Sequence, residues 1–226
     1  MLNFVPNFFI KIVNVVYPPK CILCGKYNDN FICDICRKRI KKYEKFYLCN
    51  NTNRLLIDEV YFDKLYYCYT YKGLIRTILI NYKFNNKSYF CNFFAKMLLN
   101  CKKTYGFFSI YDIIIPVPMD KQKQLIRGYN QTVLITDIIA KNTQIINGKD
   151  IIKKVKKTET QSTLNEVQRK ENVKNAFGIN DVSKILNKKI ILFDDIYTTG
   201  ATVNEISKLL KQNGAKEVLV LVLAKD

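Results

Sequence analysis

One stretch near the C-terminal end, Lys189–Thr202 (KIILFDDIYTTGAT), restricts the fold of this chain more than any other. Ile190, Ile191, Leu192 and Phe193 form an unbroken apolar run, which suits a strand buried on both faces. Two adjacent carboxylates follow, Asp194 and Asp195, and then a small, hydroxyl-rich turn, Thr198-Thr199-Gly200-Ala201-Thr202. Beyond the turn, Val203, Ile206, Leu209 and Leu210 recur at helical spacing, and the pattern stops at Asn213-Gly214. The order is strand, loop, helix.

That order carries chemistry. A glycine-containing loop that opens a helix presents backbone N–H groups and the positive end of the helix dipole, which together suit a phosphate. The threonine hydroxyls add donors. Adjacent acids would repel a bare phosphate, so they need another guest, and sugar hydroxyls or a Mg²⁺ held through water both fit. Phosphate in the loop and a diol on the acids together describe a ribose 5-phosphate. Two other readings fail on the residues. A Walker B strand needs a companion G-x-x-x-x-G-K-[ST], which the sequence lacks, and an aspartyl-phosphate site wants D-x-D rather than adjacent acids.

The rest of the chain supplies the setting. Its 226 residues suffice for one or two domains, and 37 Lys+Arg against 19 Asp+Glu give a net charge of +18. Such an excess suits nucleic acid or phosphorylated ligands. A solvated basic surface is the alternative, because Asn, Lys, Ile, Tyr and Phe abound together as they do under AT-rich coding. Histidine is absent, so imidazole enters no list of bases or ligands. No apolar run approaches the ~18–20 residues of a membrane span. The opening segment lacks a charged leader and a small-residue cleavage site, and the expected compartment is the cytoplasm. Phe8, Ile12 and Val15 or Val16 suggest a short helix docked on the body, ended by Pro18-Pro19.

Cys21-x-x-Cys24 and Cys33-x-x-Cys36 form two matched pairs. Each places two thiolates on one tight knuckle, and two knuckles complete a tetrahedral Cys₄ zinc site. Disulfides are disfavoured without a secretory signal, and a redox pair does not come doubled. A full Cys₄ shell leaves no open position, so this zinc is structural. Cys49, Cys68, Cys91 and Cys101 stand apart in apolar surroundings and read as buried thiols.

A polar stretch from Asn50 to Asp63 marks the expected domain boundary, with a zinc-binding module over 1–62 and an α/β domain over 63–226. Leu65–Tyr71 reads as a strand. Helices are expected from Gly73 to about Phe84 and from Tyr89 to Leu99, the second with Phe90, Phe93, Phe94, Met97 and Leu98 inward. Tyr111–Pro118 is a strand closed by two prolines. The segment after it, MDKQKQLIRGYNQT, is expected to be a basic loop at the carboxyl end of a parallel strand, where an α/β sheet binds its ligand. There Arg127 suits pyrophosphate because its fork grips two oxygens, with Lys121 and Lys123 adding charge. Ile151–Val155 suggests another strand. The polar stretch that follows reads as a lid, in which Lys156, Lys157, Arg169 and Lys170 close over the anion. Glu217–Leu223 gives a last buried strand beside the central one.

Ile190–Thr202 resembles the phosphoribosyl-pyrophosphate (PRPP) signature of type I phosphoribosyltransferases, with Tyr197 standing where an aliphatic residue is usual. The whole layout is similar to the ComF family of competence proteins. The pieces that carry it are PPKCILCG with CDIC, YKGLIRTILINYKF, IIPVPMDKQKQLIRGYNQT, QSTLNEVQRKENVKNAF and FDDIYTTGAT, in that order. The resemblance implies a type I phosphoribosyltransferase fold, a mainly parallel sheet flanked by helices, joined to an N-terminal zinc-ribbon-like module. It implies that Asp194 and Asp195 hold the ribose hydroxyls directly or through Mg²⁺, that Thr198, Thr199, Gly200, Ala201 and Thr202 cradle the 5-phosphate of PRPP, and that Arg127 and Lys121 face the pyrophosphate. It further implies a role in natural transformation, with single-stranded DNA and a helicase-like competence protein as partners. Many relatives carry a further cysteine pair, where this chain has only Cys49.

Overall fold

The computed structural model describes residues 18, 20–28, 32–49, 59–84, 87–156 and 166–226. Contacts divide the chain into two compact units, residues 1–44 and 45–226. The expected leading helix, most of the polar boundary stretch and Lys157 lie outside the described residues.

In the first unit a bridge joins Lys20 to Tyr27 in antiparallel sense around the first cysteine pair. Helix α1 (Asp34–Lys41) follows, with Asp34 in its first turn and Lys38, Arg39 and Lys41 in its last, each charge matched to the dipole. Ile32, Cys36 and Ile40 are buried.

The second unit is an α/β layer structure. Its main sheet contains β1 (Glu44–Cys49), β2 (Lys64–Thr70), β3 (Ile113–Pro116), β4 (Ile146–Asn147), β7 (Lys189–Tyr197) and β8 (Glu217–Lys225), in the order β1-β2-β8-β7-β3-β4. The ladders β2–β8, β8–β7, β7–β3 and β3–β4 are all parallel. A separate antiparallel pair joins β5 (Ile152–Lys154) to β6 (Phe177–Ile179). The helices are α2 (Gly73–Phe84), α3 (Phe90–Asn100), α4 (Lys102–Ile110), α5 (Lys121–Arg127), α6 (Gln131–Asn142), α7 (Glu166–Val173) and α8 (Ala201–Gln212).

The apolar runs explain the centre. Residues 190–193 of β7 and 218–224 of β8 are buried throughout, as strands covered on both faces must be. Ile190, Leu192, Val218, Val220 and Val222 join one cluster with Val203, Ile206 and Leu210 of α8. Alternate residues such as Ile191, Phe193, Leu219 and Leu221 are equally buried and belong to the other face. On α3, Phe90, Phe94 and Leu98 are buried, while Phe93 and Met97 are partly covered.

Two segments differ from expectation. The basic loop after β3 is a short helix, α5. Asp120 caps it by accepting from the backbone N–H groups of Gln122 and Lys123, and Gly128 ends it in the left-handed region at φ 80°. Part of the polar lid stretch is helical, as α7.

Candidate functional site

Strand β7 runs four residues past its apolar core, so the two acids lie within the strand rather than after it. Asp194 pairs with Val222 of β8, and the ladder continues to Tyr197 beside Lys225. The two carboxylates have different partners. Asp195 is buried and meets Lys83, whose Nζ lies 2.8 Å from Asp195 Oδ1. Asp194 is partly exposed and accepts from the Asp195 backbone N–H at 2.8 Å. Burial pushes the Asp194 carboxyl up to about 7, reinforced by the charge of Asp195 and opposed by Lys83.

The turn beyond β7 completes the site. Asp194, Ile196, Tyr197, Thr198, Thr199, Gly200, Ala201, Thr202 and Val203 line one hollow. Gly200 is the N-cap of α8 and sits at φ 78°, a conformation that costs an L side chain energy. The Ala201 N–H reaches Thr199 Oγ1 at 3.4 Å. The predicted loop residues are therefore gathered at the start of α8, with Asp194 beside them, at the carboxyl end of a parallel strand.

Arg127 approaches from α5. Its guanidinium lies 5.1 Å from the centroid of the Phe84 ring. Burial pulls its pKa down while Asp195, Tyr129 and Tyr82 hold it up, which places Arg127 in the field of Asp195. The Tyr82 and Tyr129 rings stack at 5.9 Å, and the Tyr82 hydroxyl donates to the Gln131 carbonyl at 2.9 Å. Tyr129 donates to the Tyr82 carbonyl. Lys121 is exposed at the first turn of α5. Lys154 of β5 lies in the field of Lys123 and Asp120, and burial with Lys123 lowers its pKa. Lys154 thus adds a second basic side chain beside α5.

Sequence reasoning did not find Lys83, Phe84 or Lys154. Lys83 closes a helix that was expected, but among 37 basic residues nothing local marks the one that meets an aspartate on another element.

The cysteine cluster belongs to the first unit. One sulfur from each of Cys21, Cys24, Cys33 and Cys36 lies within 4.8 Å of the others, and the Cys24 and Cys33 sulfurs are 3.8 Å apart. Tetrahedral zinc with Zn–S bonds of about 2.3 Å sets its sulfurs roughly 3.8 Å from one another, so the residues fit the ion. Gly25 at φ 72° lets its N–H reach the Cys21 carbonyl at 2.9 Å, and the Cys33 N–H points to the Cys21 sulfur at 3.4 Å. Burial and the neighbouring cysteine sulfurs push the Cys36 thiol up to about 12. Four sulfurs this close all ionise only around a cation, and the cluster is a structural zinc site.

The chain is similar to known proteins along most of its length. Residues 131–226 match the phosphoribosyl transferase domain, and residues 12–68 match the double zinc ribbon domain. The chain is 33% identical over 223 residues to competence protein F of Haemophilus influenzae, covering 91% of this chain and 96% of that protein. It is 30% identical over 157 residues to competence protein ComFC of Streptococcus pneumoniae, covering 70% of this chain and 66% of that protein. The DNA utilization protein YhgH of Escherichia coli K12 is 30% identical over 63% of each chain. Among solved structures, a hypoxanthine phosphoribosyltransferase from Staphylococcus aureus aligns at 16% identity and a TM-score of 0.32, over 63% of this chain and 64% of that one. A phosphoribosyltransferase-type α/β domain and a zinc ribbon, with a competence protein matched over nearly its whole length, make this chain a member of the ComF family of competence proteins.

Proposed function

We propose that this protein is a phosphoribosyltransferase-like component of DNA uptake that binds PRPP with Mg²⁺ at the carboxyl end of β7 and transfers its phosphoribosyl group to a nitrogen nucleophile. The observation that supports it most is the hollow lined by Asp194 and residues 196–203, where a carboxylate and a helix N-terminus face one space. In this reading the loop N–H groups and threonine hydroxyls grip the 5-phosphate, and Asp194 with Asp195 orients the ribose diol. Arg127 and Lys83 supply positive charge toward the pyrophosphate, with Lys121 and Lys154 on the flank.

The residues fit a magnesium ion as well, because Mg²⁺ takes one or two carboxylates and completes its shell with water and substrate phosphates. Held by Asp194 and Asp195 through the substrate, it would neutralise charge on the leaving group. The chain's own contribution is placement and charge. The C1–O bond to pyrophosphate breaks as the acceptor nitrogen bonds C1, the electron pair leaves with pyrophosphate, and fixed cations stabilise the charge that develops.

A second reading, in which PRPP is a ligand or switch and the protein is a non-catalytic adaptor for single-stranded DNA and a helicase-like partner, draws on the net charge of +18 and the zinc ribbon. Incubation with Mg²⁺-PRPP and a panel of nucleobases and amines separates the two. The transferase reading expects acceptor-dependent release of pyrophosphate that Asp194→Asn abolishes. No release of pyrophosphate with any acceptor in the panel, despite PRPP binding, favours the adaptor.

A further inference from the structure

Tyr197 stands out among the residues around the loop. It is the last residue of β7, it is only 3% exposed, and it lines the hollow together with residues 198–203. Its ring is held edge-on against Phe62, with centroids 6.5 Å apart, and the Lys225 ammonium lies 5.9 Å from its centroid. The ring is therefore fixed in place. Its hydroxyl is driven directly beneath the loop, since a Cβ built on Gly200 would lie 2.2 Å from the Tyr197 oxygen. Yet that buried oxygen has no hydrogen-bond partner among the described residues.

A buried hydroxyl without a partner is costly, and a phenylalanine would fill the same space without that cost. The hydroxyl also takes up the space that a side chain at position 200 would need, a position already set to glycine by its φ of 78°. Burial raises its pKa, so it stays protonated and can donate. The group directly above it is the N-cap of α8, where an anion would sit.

We propose that Tyr197 is a positioning residue of the phosphate loop, whose hydroxyl takes its hydrogen bond when a phosphate fills the loop, either to a phosphate oxygen or to a loop carbonyl turned toward it. It thereby sets how tightly the loop grips a sugar phosphate. This inference rests on the phosphate-cradle reading of residues 198–202 and adds to it a donor from below the loop.

The test compares the full-length, zinc-loaded wild-type protein with Tyr197→Phe, which keeps the ring and its packing. Two quantities are read: the melting temperature without ligand, and the dissociation constants for ribose 5-phosphate and inorganic phosphate by calorimetry. Tyr197→Phe should melt at the same temperature as wild type or a few degrees higher, because an unpaired buried hydroxyl is gone. It should bind ribose 5-phosphate about tenfold more weakly, the loss expected for one hydrogen bond to a charged group. Equal affinity within twofold overturns the inference and leaves the cradle reading intact. A clear fall in melting temperature also overturns it, since the hydroxyl would then be satisfied inside the protein. If wild type binds neither probe, the cradle reading itself fails and this inference falls with it.

Discussion

At Asp194 a carboxylate is held beside a second one within a strand, and only Lys83 answers the pair from the described residues with an ion pair, made to Asp195. The consequence is a pH dependence of stability with a definite sign. The folded-state pKa is about 7, against an ordinary value of 3.8. Below the lower value both states hold the proton. Between the two values the folded chain keeps a proton that the unfolded chain has lost, so stability falls as pH rises through this window and levels off above it. Asp194→Asn retains the oxygen that accepts from the Asp195 N–H and removes the charge. Without ligand it should be more stable than wild type by about 2 kcal/mol at pH 8, with the gap shrinking toward pH 5. Melting curves at the two pH values check this, and a gap independent of pH would contradict it. In the proposed reading the same substitution costs the site its hold on the diol, so Asp194 would trade stability for binding.

Elements differ in how far local sequence determines them. Strands β7 and β8 were legible because every residue in their apolar runs is buried, and only a covered parallel strand asks for that. Helix α8 was legible from the spacing of Val203, Ile206 and Leu210. Helix α5 was not, because KQKQLIR offers no inward apolar face: Leu125 and Ile126 are 83% and 88% exposed. Its two ends hold it instead, through the Asp120 cap and the left-handed Gly128. The acid pair and the loop could be read from spacing, whereas the Lys83–Asp195 ion pair depends on tertiary placement that no local pattern encodes. The two cysteine knuckles belong to the first kind, since C-x-x-C spacing, with Gly25 after the first pair, already marks the turns. Their energetics follow. Among the described residues of this unit the buried apolar side chains are Cys21, Ile32, Cys36 and Ile40, so two of the four are themselves ligands and the metal is expected to hold the fold together. Chelation should remove about one zinc per chain by elemental analysis and abolish the signal of α1 in hydrogen exchange, and Cys24→Ser should do the same. Folded protein that carries no zinc would contradict the assignment.

The whole molecule carries a net charge of +18 and, among the described residues, a hollow beyond β7. In the proposed reading the charge attracts polyanions at long range and the hollow takes a small anion. The two proposed roles respond to different conditions. Single-stranded DNA binding should weaken steeply with salt, because each neutralised phosphate releases counterions, and a flat response in a filter-binding series would count against the DNA role. No helix among the described residues is long and apolar enough to cross a membrane. The central claim is that Asp194, Asp195 and the 198–202 loop form a single sugar-phosphate site. Calorimetric titration of the protein with PRPP, with and without Mg²⁺, tests it most directly. Saturable binding that strengthens with Mg²⁺ and is lost when both aspartates are replaced by asparagine is the expected result; no heat of binding in either buffer, or binding that the double replacement leaves unchanged, would contradict it.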